Sequence, residues 1–332
     1  MMITRHSQQL GLLAGLACAA GTALAQAPQN YPSRQITMII GFAAGSTTDS
    51  IGRVLAPYMS DKLKTPIIVD NKPGGGTVIS VQALMKSPKD GYTLMLGAAS
   101  TLVQSPGVQK DLPYDTLRDM VPIVGVARMP GIMAVRNGFP VANVKDLVPY
   151  LKKNPGKVTY GSSGIGAAGH LTGELFLYRT GTDMIHVPYK GANQVSADMA
   201  AERLDLAITT AAASLPLIRQ GKLKGLAVTT RNRLSSAPGI PTLVESGLTG
   251  MEGMDPYTFY GLMAPQGTPQ GPVTRVNQVV NEILKDAEFV KKLTALEFDP
   301  DQPNTPAEFT KFLSMHLSIW RELGARLNIT TN

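Results

Sequence analysis

The chain has 332 residues, 43% hydrophobic and 17% charged, with 31 Lys and Arg against 24 Asp and Glu. That balance supports a folded protein of two ordinary domains and excludes a disordered chain. The formal charge of +7 is scattered, with no run of five basic residues and no aromatic-interleaved basic patch, so nucleic acid is not expected as a partner.

The first 25 residues read as a secretory leader. A polar start carrying Arg5 and His6 precedes an apolar run of 11 residues, and Ala23 and Ala25 sit where a signal peptidase requires small side chains. Removing the leader takes Arg5 and no acid, so the charge falls to about +6. The one cysteine, Cys18, lies inside the leader, and Gly15 stands where a lipidation site wants a larger apolar residue. The mature chain then has no thiol chemistry and no disulfide. No later segment approaches 18 uninterrupted apolar residues, so a soluble periplasmic protein is expected.

Beyond the leader, short β-branched runs alternate with amphipathic helices. Residues 35–42 read as a buried strand, and 49–63 as a helix with Ile51, Leu55, Tyr58 and Met59 on one face and a kink or break permitted at Pro57. A strand over 66–71, a helix over 77–87 and a strand over 91–100 complete a parallel α/β unit. A second unit follows: strands at 158–163, 183–189, 204–210 and 223–230, with helices near 167–178, 192–202 and 215–220. The apolar stretches 120–135 and 256–267 read as strands passing between two lobes. The chain closes with helices over 272–286 and 305–327; Thr305 and Glu308 form a capping box, and Phe309, Phe312, Leu313, His316 and Trp320 share one side of the last helix. The expected division is 26–124 plus 256–332 for lobe 1 and 125–255 for lobe 2, with a ligand cleft between them.

Two strand-to-helix turns draw attention. In the first, Ser46, Thr47 and Thr48 stand ready to cap a helix and Asp49 falls in its first turn. The turn is read either as an ordinary capped turn or as an anion site built from free N–H groups. The second, 160–171, contains Gly164-x-Gly166-x-x-Gly169, formally a dinucleotide fingerprint. The next strand ends in Tyr189 and Lys190 rather than an acid, so backbone N–H groups and the Ser162 and Ser163 hydroxyls approaching a small anion is the preferred reading. It is not a nucleophile elbow, because Ile165 stands where glycine is needed. His170, His186 and His316 lack metal-ligand spacing, and no cofactor or metal is expected. His170 is read as either a ligand contact or a packing residue, and His316 as core. The triple glycine of 71–80 is read as structural rather than as a third nest.

The stretches "YPSRQITMIIGFAAGSTTD", "IIVDNKPGGG", "SPKDGYTLMLG", "DLPYDTLRDMVPI", "YGSSGIGAAGHL" and "HVPYKG" together resemble the tripartite tricarboxylate transporter receptors, also called Bug-type solute receptors. The resemblance implies a two-lobed α/β Venus-flytrap periplasmic binding protein fold, hinged at two crossing strands. It implies a monomer that closes on a small organic carboxylate, without bond chemistry, and presents it to the membrane permease subunits of a tripartite tricarboxylate transporter. Carried over, it points to Phe42, Ala43, Ala44, Gly45, Ser46, Thr47, Thr48 and Asp49 in lobe 1. In lobe 2 it points to Gly161, Ser162, Ser163, Gly164, Gly166 and His170. Ser100, Thr101 and Asp205 are weaker candidates. The sequence departs from the family's usual pattern at Gly41, where Pro is common, and at Ser46, where a second glycine is common. Rival readings are a ligand sensor serving a signalling partner and a secreted enzyme acting on small organic acids.

Overall fold

The computed structural model describes residues 31–332 apart from 165–166, 190, 231, 235, 249–250, 252–257 and 328–332. The expected leader and Gly166 lie outside the described residues.

In chain order the first lobe comprises β1 (Ile36–Ile40), α1 (Thr47–Leu63), β2 (Ile67–Asn71), α2 (Val78–Met85) and β3 (Thr93–Ala98). A π-helical turn, Ser100–Gln104, runs into α3 (Ser105–Val108), followed by α4 (Thr116–Asp119) and β4 (Met120–Met129). The second lobe holds β5 (Gly131–Arg136), α5 (Val144–Lys153), β6 (Thr159–Ser162), α6 (Ala168–Thr180) and β7 (Ile185–Pro188). It continues with α7 (Ala192–Ala200), β8 (Leu206–Thr210), α8 (Ala211–Arg219) and β9 (Leu223–Val228). The chain then returns through β10 (Thr258–Pro265), α9 (Gln270–Ile283), α10 (Ala287–Ala295), β11 (Asp299–Pro300) and α11 (Pro306–Leu327).

The two sheets share a plan. One has the order β11-β4-β10-β3-β1-β2 and the other β7-β6-β8-β5-β9. In each, three parallel strands (β2, β1, β3 and β7, β6, β8) adjoin an antiparallel one, β10 or β5. The lobes exchange the chain at Pro130, between β4 and β5. β4 pairs with β10 as far as Thr258↔Met129, one residue before Pro130.

Strand periodicity explains the core. Successive side chains face opposite sides of a sheet. Accordingly, Ile36, Met38 and Ile40 join one apolar cluster with Ile51, Leu55, Val276 and Phe289, whereas Ile39 joins another with Val81 and Leu84. That second cluster extends under both sheets. It takes Met95 and Met263 from the first, Met133 and Ile208 from the second, and Leu171, Phe176, Leu313 and Trp320 from α6 and α11. An Arg179–Glu322 ion pair at 3.8 Å also links α6 to α11.

Local signals act as chemistry dictates. Pro57 lies within an unbroken α1 on its exposed side, with Arg53, whose carbonyl loses its helical donor there, also exposed. The capping box at α11 forms: Thr305 N donates to Glu308 Oε2 at 2.8 Å and Glu308 N to Thr305 Oγ1 at 3.2 Å. His316 is core, as expected, with 3% exposure.

α11 returns to lobe 1 through a close crossing with α3. A Cβ placed on Gly324 would lie 2.7 Å from both Gly107 O and Val108 Cα. Gly324→Leu is expected to destabilise the fold by about 3 kcal/mol or more through overpacking against rigid backbone. Gly239→Ala, at a position with open space, is expected to be close to neutral. Urea unfolding of the two variants checks the difference.

Candidate functional site

A cavity of about 940 Å³ lies where the carboxyl ends of the parallel strands meet across the lobes. Its lobe 1 wall begins after β1. Phe42, Ser46, Thr47 and Thr48 line it. The first N–H groups of a helix have no intrahelical acceptor. In α1 the Ser46 side chain accepts from Asp49 N at 3.3 Å, which leaves Thr47 N and Thr48 N, the first two after the cap, without a helical partner. The π-helical turn after β3 contributes Ser100 and Gln104, with Ser105 and Gln109 beyond it. Tyr114 Oη and Thr116 Oγ1 hold that turn by donating to the carbonyls of Thr101 and Leu102 at 2.8 and 2.6 Å. Gln104 is 1% exposed, and its Oε1 has no hydrogen-bond partner.

The remaining lobe 1 wall is made by strand register. Tyr260 pairs with Ala98 and Thr258 with Met129, and all four line the cavity. Gly75, Gly76 and Thr77 also line it. The glycines form the positive-φ turn expected of them, with Gly74, Gly75 and Gly76 at φ +124°, +57° and +59°, and the same turn faces the cavity. Gly41 admits this turn, since a Cβ there would lie 2.5 Å from Ser80 Oγ and 3.0 Å from Thr77 Cβ.

Lobe 2 supplies Ser163, Gly164, Ala167 and Ala168 after β6, and Thr210 at the end of β8. Ala167 and Thr210 are the N-caps of α6 and α8, and neither helix has a side-chain cap. Among the described residues lining the cavity there is no carboxylate, imidazole, ammonium or guanidinium group. What the arrangement offers is hydroxyls, amides and helix N-termini, a set suited to an anion.

Of the residues picked out from sequence, Phe42, Ser46, Thr47, Thr48, Ser100, Ser163 and Gly164 line the cavity. The other described ones stand elsewhere. Ala43, Ala44 and Gly45 are exposed outside it, and Gly45 N donates to Asp49 Oδ2 at 2.8 Å. Asp49 is a structural anchor: its side chain is 2% exposed and also accepts from Arg53 Nε at 2.8 Å and Asn71 Nδ2 at 2.9 Å. The hydrogen bond from Arg53, aided by those from Gly45 and Asn71, lowers its pKa to about 2. Arg53 offsets its charge, so the carboxylate does not repel an anion at the same helix start. Thr101 is fully buried behind Ser100, and Gly161 packs against Leu204 and Val195. Asp205 precedes β8, at the opposite end from Thr210, where it binds Arg136 Nε, Thr159 N and Thr159 Oγ1, each at 3.0 Å. Strand direction alone removes it from the cavity.

Ser162 and His170 belong to a buried polar cluster behind the lobe 2 wall. Tyr160 and Ser162 alternate onto one face of β6, and Tyr160 is in register with His186 of β7. α6 covers that face, with His170 and Glu174 one turn apart. The His170 and His186 rings stack at 4.1 Å, and Tyr160 lies 4.9 Å from His186. Tyr160 Oη bonds Glu174 Oε1, and His170 Nε2 lies 3.9 Å from the same oxygen. Burial, then the neighbouring His170, lowers His186 to about 4. Burial also lowers His170, while Glu174 opposes the shift.

Comparison with known proteins follows the same geometry. Residues 51–329 match the family model described as "Tripartite tricarboxylate transporter family receptor". Protein BugT of Bordetella pertussis is 32% identical over 313 residues, covering 93% of this chain and 95% of that protein. Among solved structures, R. palustris Rpa4515 with adipate superposes with a TM-score of 0.73 at 31% identity, covering 89% of this chain and 97% of that one. The periplasmic binding protein BugD gives 0.71 at 30%, covering 91% and 100%.

Three histidines, His170 and His186 here and His316 in the core, whose burial lowers it to about 4, make stability depend on pH with a defined sign. Their folded pKa values lie below the ordinary 6.5, so the unfolded chain binds more protons in the interval between. The stability they allow is complete above about 6.5 and is lost as pH falls toward 4. Thermal midpoints are expected to drop between pH 6.5 and 5, before most carboxylates titrate. A flat profile there would contradict the assignment.

Proposed function

This chain belongs to the tripartite tricarboxylate transporter receptor family, and on that premise we propose that it is a periplasmic receptor for a small organic carboxylate. It captures the acid by closing two lobes and presents it to the membrane subunits of a tripartite tricarboxylate-type transporter. The observation that carries this reading is the uncharged cavity in which the starts of α1, α6 and α8 meet. Hydrogen bonds to a charged group contribute about 1.5–3 kcal/mol each, and a helix N-terminus about 0.3–2 kcal/mol. An acid with two negative ends takes such bonds from both lobes at once. It thereby favours the closed arrangement through contacts that the open one lacks. The adipate carried by Rpa4515 is an acid of this kind. Among the described residues no helix is long and apolar enough to cross a membrane, which accords with a receptor that hands its ligand to separate membrane subunits.

The test is a thermal-shift screen of the protein lacking residues 1–25 against succinate, adipate, citrate, glutamate and terephthalate, with glucose and putrescine as neutral and cationic controls. At least one acid is expected to raise the midpoint, and neither control is. A rise with a control alone rejects the reading. For the acid that binds best, Thr48→Ala and Ser163→Ala are each expected to weaken Kd about tenfold, the worth of one hydrogen bond. Asp205→Asn is expected to lower the thermal midpoint while leaving Kd as it is. Calorimetric titration distinguishes these outcomes.

A further inference from the structure

We propose that His186, which does not line the cavity, is a positioning residue for its lobe 2 wall and acts through Ser162. The inference rests on the reading of this cavity as the ligand site, but its structural half can be tested without a ligand.

Ser162 Oγ makes three contacts. It lies 2.9 Å from Gly164 O, 3.3 Å from Gly164 N and 2.7 Å from His186 Nε2. A hydroxyl has one proton to give and two lone pairs to accept with. Gly164 O only accepts and Gly164 N only donates. The one assignment that satisfies all three contacts sends the hydroxyl proton to Gly164 O. His186 Nε2 must then carry a proton and donate it to Ser162 Oγ. This fixes the tautomer and fills the hydroxyl's bonding capacity. It also excludes Ser162 as a nucleophile served by His186, because its proton points to a carbonyl and its side chain is fully buried.

The turn needs such a lock. Gly164 has φ +132°, a conformation that other residues rarely adopt and that costs backbone freedom. Gly164 O also receives Ala167 N at 3.2 Å, immediately before α6, whose N-cap has no side chain to offer. The same turn therefore sets Ser163 and Gly164 on the cavity wall and the start of α6 beside them. His186 is in turn held by its stack with His170 and by Tyr160. The chain from Glu174 through the stacked rings to Ser162 is a brace behind the wall.

A ring that merely fills space and a ring that donates to Ser162 predict different results. In His186→Phe the ring stays and the donor goes. In His186→Gln a side-chain amide N–H supplies the donor near the former Nε2, and in His186→Asn the amide is too short to do so. At pH 7.5, His186→Phe and Ser162→Ala are each expected to speed hydrogen exchange of the Gly164 amide in the ligand-free protein, read by ¹⁵N NMR. They are also expected to weaken Kd about tenfold, measured with the tightest-binding acid of the five named above. The double variant is expected to be no weaker than the worse single one, because both remove the same bond. His186→Gln is expected to recover most of the affinity and His186→Asn is not. The proposal is overturned if His186→Phe leaves Gly164 exchange and Kd as in the parent protein, or if the two losses multiply in the double variant. Equal behaviour of the Gln and Asn variants overturns it too, and that comparison carries the test should His186→Phe fail to fold. If none of the five acids binds the parent protein, the receptor reading falls while Gly164 exchange still decides the role of His186.

Discussion

Three helix starts aimed at one space are the constraint on which the rest of this molecule depends. α1, α6 and α8 each follow a parallel strand, so their N-termini emerge at the carboxyl ends of the sheets, which face one another across the cavity. The peptide dipoles supply a positive potential although the described lining carries no cation. That explains the use made of acids nearby. Asp49 sits in the first turn of α1 yet is turned inward to Gly45, Arg53 and Asn71. Its charge organises the loop instead of occupying the site.

Much of the fold was legible because it is written locally. Apolar runs mark strands buried on both faces, three- and four-residue spacing marks the helices, and Thr305 with Glu308 marks the last helix start. The hydroxyls of the first turn announced a helix N-terminus, and Thr47, Thr48 and Ser163 reached the cavity. What escaped was set at long range. Thr258 and Tyr260 reach the site only because β10 returns antiparallel between β3 and β4, in a register that brings Tyr260 beside Ala98. No local pattern states such a pairing. The triple glycine was legible as a positive-φ turn, but its place on the cavity wall depends on Gly41, a position distant in sequence. Asp205 was overvalued, since residues that precede a parallel strand lie at the end away from the site.

The lobes are not two beads on a string. A single apolar cluster passes beneath both sheets, from Met95 and Met263 to Met133 and Ile208. The crossing from β4 to β5 is made at Pro130, whose carbonyl accepts from Ala211 N while Gly131 N donates to Thr229 Oγ1, each at 3.0 Å. Any change in lobe angle must therefore be taken up by slight sliding within that shared layer and by rotation about a few bonds at the crossing. Wholesale exposure of apolar surface would cost about 25 cal/mol for every Å².

The neutral lining has a consequence for the medium in which the protein works. Attraction between separated ions in water fades beyond about 8 Å at physiological ionic strength, so a pocket relying on lysine or arginine loses grip as sodium chloride rises. Dipoles in van der Waals contact with a desolvated anion act at short range, inside that screening distance. On the reading proposed above, contacts of this kind depend less on ionic strength than long-range attraction to a lysine or arginine does.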